Sequence, residues 1–347
     1  MPVKLPRIDD LSRPEGLEAT LGPVRSIERM PLSTVGFSEA RHERLNVRLA
    51  DGSNTRLVLK RFSLASSWTA YRTGDAVGRE AALLTEPALT GVWGVYRNPY
   101  RAFAVEEAEV GLLMTDLTDI LLPDDGAPLD MIQEDAFLGA LASLHARFWE
   151  SNALQTSWLA PLAVRFHILH PTAGTEELKR MTVAPVFSLV QRGWEIALRA
   201  VPGRIAAWLQ RPAEDIARDF AHLPQTLLHG DTKVANFGFY SNGEVAAFDW
   251  ATMGRGPTTI DLGYCLAINS TRLARSKENV IVRYRGLLEA RLGEQVPDGT
   301  WEEMVTAAVV AGAGMLLWSK ALALEAGAPG AAAEWAWWVA ELERRLG

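Results

Sequence analysis

Leu227-Leu228-His229-Gly230-Asp231-Thr232-Lys233-Val234-Ala235-Asn236-Phe237-Gly238-Phe239-Tyr240-Ser241-Asn242-Gly243-Glu244-Val245-Ala246-Ala247-Phe248-Asp249-Trp250 decides how this chain is read. Two apolar, β-prone runs flank Asn242-Gly243, the strongest short-range signal for a hairpin with a two-residue turn. In such a turn Ser241 faces Glu244, so Tyr240 faces Val245, Gly238 faces Ala247, Phe237 faces Phe248 and Asn236 faces Asp249. Facing residues in an antiparallel pair have Cβ atoms roughly 4.5–5.5 Å apart. An amide oxygen and a carboxylate would converge there, a donor pair suited to Mg2+, which needs one or two protein oxygens and fills its octahedron with water and phosphate oxygens. Asp231 stands in a polar loop leaving the strand Thr226-Leu227-Leu228, where it can hold a carboxylate beside the metal.

A loop Asp, an Asn five residues on, a hairpin and a second Asp follow the order of kinase catalytic machinery. His229-Gly230-Asp231 with Asn236, followed by Phe248-Asp249-Trp250, resembles the aminoglycoside phosphotransferase and choline kinase family of small-molecule kinases. The resemblance implies an α+β, bilobal protein-kinase-like fold. Residues 1–115 would form an N-terminal nucleotide-binding lobe built on an antiparallel sheet, and residues 116–347 a mostly helical catalytic and substrate-binding lobe. It also implies transfer of the γ-phosphoryl group of ATP to a hydroxyl of a small molecule, with ATP and Mg2+ as cofactors. Asp231 would accept the hydroxyl proton or position the hydroxyl, and Asn236 and Asp249 would hold metal. The plainer alternative is a surface hairpin whose Asp and Asn make turn hydrogen bonds. Three polar residues in register, with partners upstream, argue against it.

The chain has 347 residues, enough for two lobes each with its own core. At 48% hydrophobic and 22% charged it has an ordinary globular composition. A formal charge of −7 excludes the basic footprint of a nucleic-acid binder and is compatible with a cationic substrate. One cysteine, Cys265, excludes an internal disulfide framework and fits a reducing compartment. The N-terminus lacks the apolar core of a signal peptide. The longest apolar run, Val305 to Trp318, is 14 residues, interrupted by Thr306, Gly312 and Gly314, and too short to span a bilayer. A buried helix in a cytoplasmic protein, away from membranes, is the expectation. Oligomeric state is left open.

In the first lobe, Val24 to Met30, Leu45 to Leu49 and Thr55 to Phe62 alternate as half-exposed strands, with Asp51-Gly52 turning between the last two. They predict an antiparallel meander. Ser33 to Glu39 lies where a loop would cover phosphates, or is a plain hairpin loop. Lys60 closes Leu57-Val58-Leu59-Lys60, the position of the lysine that contacts the α- and β-phosphates in the kinase pattern. Glu80, in the helix-favouring Gly78 to Leu84, can bring a carboxylate back to that lysine. Two more strands, Ala102 to Glu106 and Gly111 to Thr115, lead into Asp116-Leu117-Thr118-Asp119. The resemblance makes this connector the hinge, with the Thr115 carbonyl and the Leu117 amide reading the adenine edge.

In the second lobe, Glu134 to Trp149 carries one apolar stripe that includes His145, read as a satisfied core histidine. His229 is read as structural. Lys233 either leans on the γ-phosphate and neutralises developing charge or is a solvated loop lysine. Asp261 matches the family aspartate that braces the catalytic loop, and is also placed to cap a helix. Ala251 departs from relatives that carry an acid there, which leaves Asp249 as the one metal ligand on that strand. Only 12 residues separate Asp249 from Asp261, too few for a peptide-docking activation segment, so the acceptor is expected to be small. The chain does not say which: an aminoglycoside, an amino alcohol such as choline, a sugar and a macrolide all remain open, as does a nucleotide-binding pseudokinase scaffold. Helices rich in Ala, Leu and Trp run from Trp301 to the end.

Overall fold

The alternating runs of the first hundred residues become long strands because each can bury one face and expose the other. The computed structural model describes residues 2–33, 39–123, 126–180 and 186–347. Residues 34–38, the greater part of the loop expected to cover phosphates, lie outside the described residues. The chain divides into two compact units, Met1–Leu121 with Phe237–Ala251, and Leu122–Asn236 with Thr252–Gly347.

The first unit is a six-stranded sheet of β1 (Val3–Lys4), β2 (Val24–Leu32), β3 (Arg41–Leu49), β4 (Asn54–Ser63), β5 (Tyr100–Glu106) and β6 (Glu109–Thr115). Their spatial order is β1-β5-β6-β4-β3-β2, with β1 parallel to β5 and the other pairs antiparallel. One face carries Leu45, Val47, Leu57, Leu59, Ala102, Ala104 and Leu113, which pack with Leu5, Leu11 and Leu17 into the core of this unit. Leu17 belongs to α1 (Pro14–Leu21), which, with β1, had no signal in the strand pattern. The opposite face carries Lys60. Two short helices, α2 (Trp68–Thr73) and α3 (Arg79–Leu83), follow β4.

The hairpin belongs to this unit, not to the one beginning at residue 116. The Arg97 N–H donates to the Val245 carbonyl at 2.9 Å, and Tyr96 lies against Phe237 with ring centroids 6.0 Å apart. Its register also differs by one from the sequence reading: Phe237 pairs with Ala247, Gly238 with Ala246 and Phe239 with Val245. The cause is the turn. The Tyr240 N–H donates to the Glu244 carbonyl and the Gly243 N–H to the Tyr240 carbonyl, closing a three-residue loop with Gly243 at φ 84°. A left-handed glycine ending such a loop is as natural for Asn-Gly as the two-residue turn. The register therefore does not oppose Asn236 to Asp249.

The second unit is mostly helical: α4 (Met131–Arg147), α5 (Ala163–His167), α6 (Ala173–Lys179), α7 (Val186–Ala200), α8 (Gly203–Leu209), α9 (Ala213–Asp219), α10 (Thr259–Ile268), α11 (Lys277–Leu292), α12 (Asp298–Glu325) and α13 (Ala331–Leu346). A small antiparallel pair, Gln225–Leu228 with Gly254–Pro257, carries the chain into and out of its loops. The apolar run around Val305 is part of α12, 28 residues long. By length and composition it is the one candidate among the described residues for crossing a membrane, and 67% of its apolar window is buried inside the protein.

Candidate active site

In the first unit, the chemistry gathers around Lys60. Its Nζ donates to Glu80 Oε2 and to Asp249 Oδ1, each at 2.7 Å, and the lysine is only 7% exposed. Glu80 reaches it from the first turn of α3, where the Asp75 carboxylate accepts the N–H groups of Val77, Gly78 and Arg79 and so fixes the start of the helix. The other Glu80 oxygen, Oε1, accepts the Tyr100 hydroxyl at 2.6 Å and the Asp249 N–H at 3.1 Å. Asp249 has a φ of 64°, left-handed backbone that a non-glycine residue rarely adopts and that collects at functional sites. Behind it Trp250 is buried edge-on against Trp93 and Tyr96, at centroid distances of 6.2 and 5.7 Å.

The electrostatics follow from one cation placed among acids away from water. Burial alone would lower the Lys60 pKa, but Asp249 and Glu80 outweigh it and hold the ammonium charged. Burial and the like charge of Asp249 raise the Glu80 pKa, against the pull of Lys60. Burial and the Glu80 charge likewise raise the Tyr100 hydroxyl. His42, which faces Lys60 across β3 and β4, is lowered by burial and by the lysine's charge.

The connector residues expected to read a base edge lie in the same unit. The Thr115 N–H donates to the Pro99 carbonyl, and the Leu117 carbonyl accepts from Ile120 and Leu121. Between them the Asp116 carboxylate accepts the Thr118 N–H and hydroxyl and Arg44 Nε, the last at 2.8 Å. Burial pushes its pKa up, but the Thr118 hydrogen bonds and the charges of Arg44 and Arg56 bring it below the ordinary value. The connector is thereby held in one conformation.

In the second unit the loop bearing Asp231 is held from several sides. Gly230 sits at φ 85°, and a Cβ there would lie 2.4 Å from the Thr252 carbonyl oxygen, so only glycine fits. Arg165 of α5, 4% exposed, donates to the Gly230 carbonyl at 2.7 Å. The Asp231 N–H donates to His229 Nδ1 at 3.2 Å, and Asn236 Nδ2 donates to the Asp231 carbonyl at 3.1 Å. His229 thus orders backbone. Lys233 is half-buried and has no side-chain hydrogen bond or ion pair among the described residues.

Helix α10 grips this loop at both ends. At its start, Asp261 Oδ2 accepts the His229 N–H at 2.7 Å, Oδ1 accepts the Gly230 N–H at 3.0 Å, and its carbonyl accepts the Thr232 hydroxyl at 2.8 Å. At its end, Asn269 Nδ2 donates to the Thr232 carbonyl and Oδ1 accepts the Val234 N–H, both at 2.9 Å. His145 stands behind Asp261, with Nε2 3.3 Å from Oδ2 and Nδ1 at the Tyr284 hydroxyl. An ionised carboxylate can only accept, so Nε2 carries the proton toward Asp261, and Nδ1 shares a hydrogen bond with the Tyr284 hydroxyl. His145 is a satisfied core histidine that also orients the brace.

Sequence reasoning missed Tyr100, Arg165 and Asn269. Each acts through a partner at least 20 positions away, and none lies in a local motif.

A family model described as "Phosphotransferase enzyme family" matches residues 36–294, about three quarters of the chain. The chain belongs to the phosphotransferase enzyme family. No curated protein matches it in sequence. Among solved structures it is similar to choline kinase LicA from Streptococcus pneumoniae, with 13% identity over 95% of this chain and 97% of that one and a TM-score of 0.48. It is similar to a choline kinase from Cryptosporidium parvum, with 10% identity, 98% and 91% coverage and a TM-score of 0.49. A third similar structure is the aminoglycoside phosphotransferase APH(3'')-Id from Streptomyces rimosus, with 18% identity, 82% and 92% coverage and a TM-score of 0.41. The matched span of this phosphotransferase holds Lys60, Glu80, the Asp231 loop and Asp249.

Proposed function

We propose that this phosphotransferase moves the γ-phosphoryl group of ATP to a hydroxyl of a small molecule, with Mg2+ as the metal. The observation that carries the reading is Lys60, a buried ammonium held at 2.7 Å from two carboxylates, one of which, Asp249, keeps a side chain 35% exposed. A lysine preset in this way binds phosphate without losing side-chain entropy at the moment of binding.

Lys60 takes the α- and β-phosphates, with Glu80 aiming it. The Thr115 carbonyl and the Leu117 amide read the base edge. Asp231 accepts the acceptor's proton or positions its hydroxyl, and Lys233 neutralises charge on the γ-phosphate. Asn236 and Asp249 would hold Mg2+, which would supply positive charge against the charge that develops on the phosphates. Their donors are all oxygen, as a hard cation requires. Among the described residues no three His, Cys, Asp or Glu side chains gather as an all-protein metal cage. A Mg2+ ion that takes most of its ligands from water and phosphate needs none.

The small acceptor is supported by the connector after Asp249. Gly254–Pro257 is spent on the strand that pairs with Gln225–Leu228, and Thr259 already opens α10. No length remains for docking a peptide. The single buried cysteine supports residence in a reducing compartment.

The experiment is phosphoryl transfer from Mg-ATP to a panel of aminoglycosides, macrolides, amino alcohols and sugars, read by product mass. Asp231→Ala should lose turnover while still binding nucleotide. Equal loss of both would remove Asp231 from the role proposed for it.

A further inference from the structure

In β5 the alternation of side chains is broken once. Ala102 pairs with Leu113 and Tyr100 with Met114, so Arg101 is an extra residue bulged out of the ladder. Counting back by twos from Ala104 and Ala102, residue 100 would fall on the sheet face that builds the core around Leu11 and Leu17. The bulge moves it to the other face, which carries Leu112 and, opposite Leu112, Lys60. Bulges next to functional sites re-aim a side chain in this way. Here the re-aimed group is a buried hydroxyl, 3% exposed, that donates to Glu80 Oε1 at 2.6 Å.

That oxygen also accepts the Asp249 N–H, while the second Glu80 oxygen takes Lys60. The hydroxyl therefore fixes a carboxylate that holds the phosphate-binding lysine on one side and the backbone of the left-handed aspartate on the other. The Tyr100 ring is itself pinned edge-on by Trp93, at a centroid distance of 5.8 Å.

We infer that Tyr100 is a positioning residue for nucleotide, acting through Glu80 to hold Lys60 and Asp249 ready together. The inference rests on the ATP-dependent reading above. Replacement by Phe keeps the ring against Trp93 and removes only the donor. A hydrogen bond to a charged, buried acceptor is worth roughly a factor of ten or more.

The test uses the full chain, titrated with the fluorescent nucleotide mant-ATP with and without Mg2+, below the melting transition of each protein. Wild type, Tyr100→Phe, Glu80→Gln and the double variant form a cycle. The expected result is about tenfold weaker mant-ATP binding by Tyr100→Phe, an equal rise in the nucleotide KM and an unchanged acceptor KM. The double variant should bind no more weakly than Glu80→Gln alone, because the hydroxyl acts only through that carboxylate. Tyr100→Phe binding within twofold of wild type overturns the inference, even if the variant melts earlier. Losses that multiply in the double variant also overturn it. If wild type itself binds no mant-ATP, the ATP-dependent reading fails first, and the inference falls with it.

Discussion

A Cβ placed on Gly263 would lie 1.9 Å from the carbonyl oxygen of Ala308. Helices α10 and α12 thus meet backbone to backbone, and Gly312 returns the contact, its own Cβ position falling 2.5 Å from the Gly263 carbonyl oxygen. Gly263 is two residues from Asp261, so this contact sets the depth at which the brace for the Asp231 loop is held. Gly263→Ala is expected to destabilise the protein by about 3 kcal/mol or more, since backbone on both sides leaves no flexible side chain to yield. Urea unfolding checks it. A loss below about 1 kcal/mol would mean that the helices separate easily.

Asn269 is the second hold on the loop and is 1% exposed. Asn269→Ala should lower kcat by roughly ten- to a hundredfold through misplacement of the loop, with mant-ATP binding unchanged because Lys60 and Glu80 lie in the other unit. Steady-state kinetics beside a binding titration separates the two. A nucleotide affinity that falls in step with kcat would contradict it.

Asp261 links the loop to acid stability. Burial would raise its pKa, but the His145 hydrogen bond and the charges of His145, His229 and Arg165 outweigh burial and bring it below the ordinary 3.8. A group depressed in the folded state contributes stability that is present above its unfolded pKa and is lost as pH falls through the folded one. Wild type should therefore lose this contribution below about pH 4, whereas Asp261→Asn, already without it, should be less stable at neutral pH and lose less on acidification. Urea midpoints measured from pH 3 to pH 6 decide. Parallel curves for the two proteins would refute the linkage.

Burial pushes the Cys265 thiol up to about 12. Since the thiolate is the reactive form, native protein should resist iodoacetamide at pH 8 and label at once in urea. Labelling of the native protein at the rate of a free thiol would show that α10 opens readily.

Much of the candidate site could be proposed from the sequence because its residues are tied to short motifs. Asp231 stands in a short polar loop next to the apolar Thr226-Leu227-Leu228, Asn236 and Asp249 border apolar hairpin runs, Asp261 opens an apolar helix, and Lys60 ends an alternating strand. The structure brings Lys60 and Glu80 together, as the helix-favouring run around Glu80 suggested. The hairpin register was not legible, because Asn242-Gly243 satisfies a two-residue and a three-residue loop equally and only the ladder distinguishes them. Tyr100 was hidden by the bulge, which breaks the alternation used to assign faces. Arg165 and Asn269 contact the loop from 65 and 37 positions away, and no local pattern encodes such a meeting.

The first unit is written in two separate pieces of the chain, and this imposes an order of assembly. Lys60, Glu80 and Tyr100 leave the ribosome early, but the hydrogen bond from the Asp249 N–H to Glu80 spans 169 positions. At ordinary synthesis rates the aspartate follows roughly 10–30 s later. Until then no hairpin exists to stand beside Lys60 and Glu80. A nascent chain stopped at Leu121 would carry the lysine proposed to bind phosphate without the acid proposed to bind metal. The last step in completing the N-terminal unit is therefore taken by residues made after half of the other unit already exists.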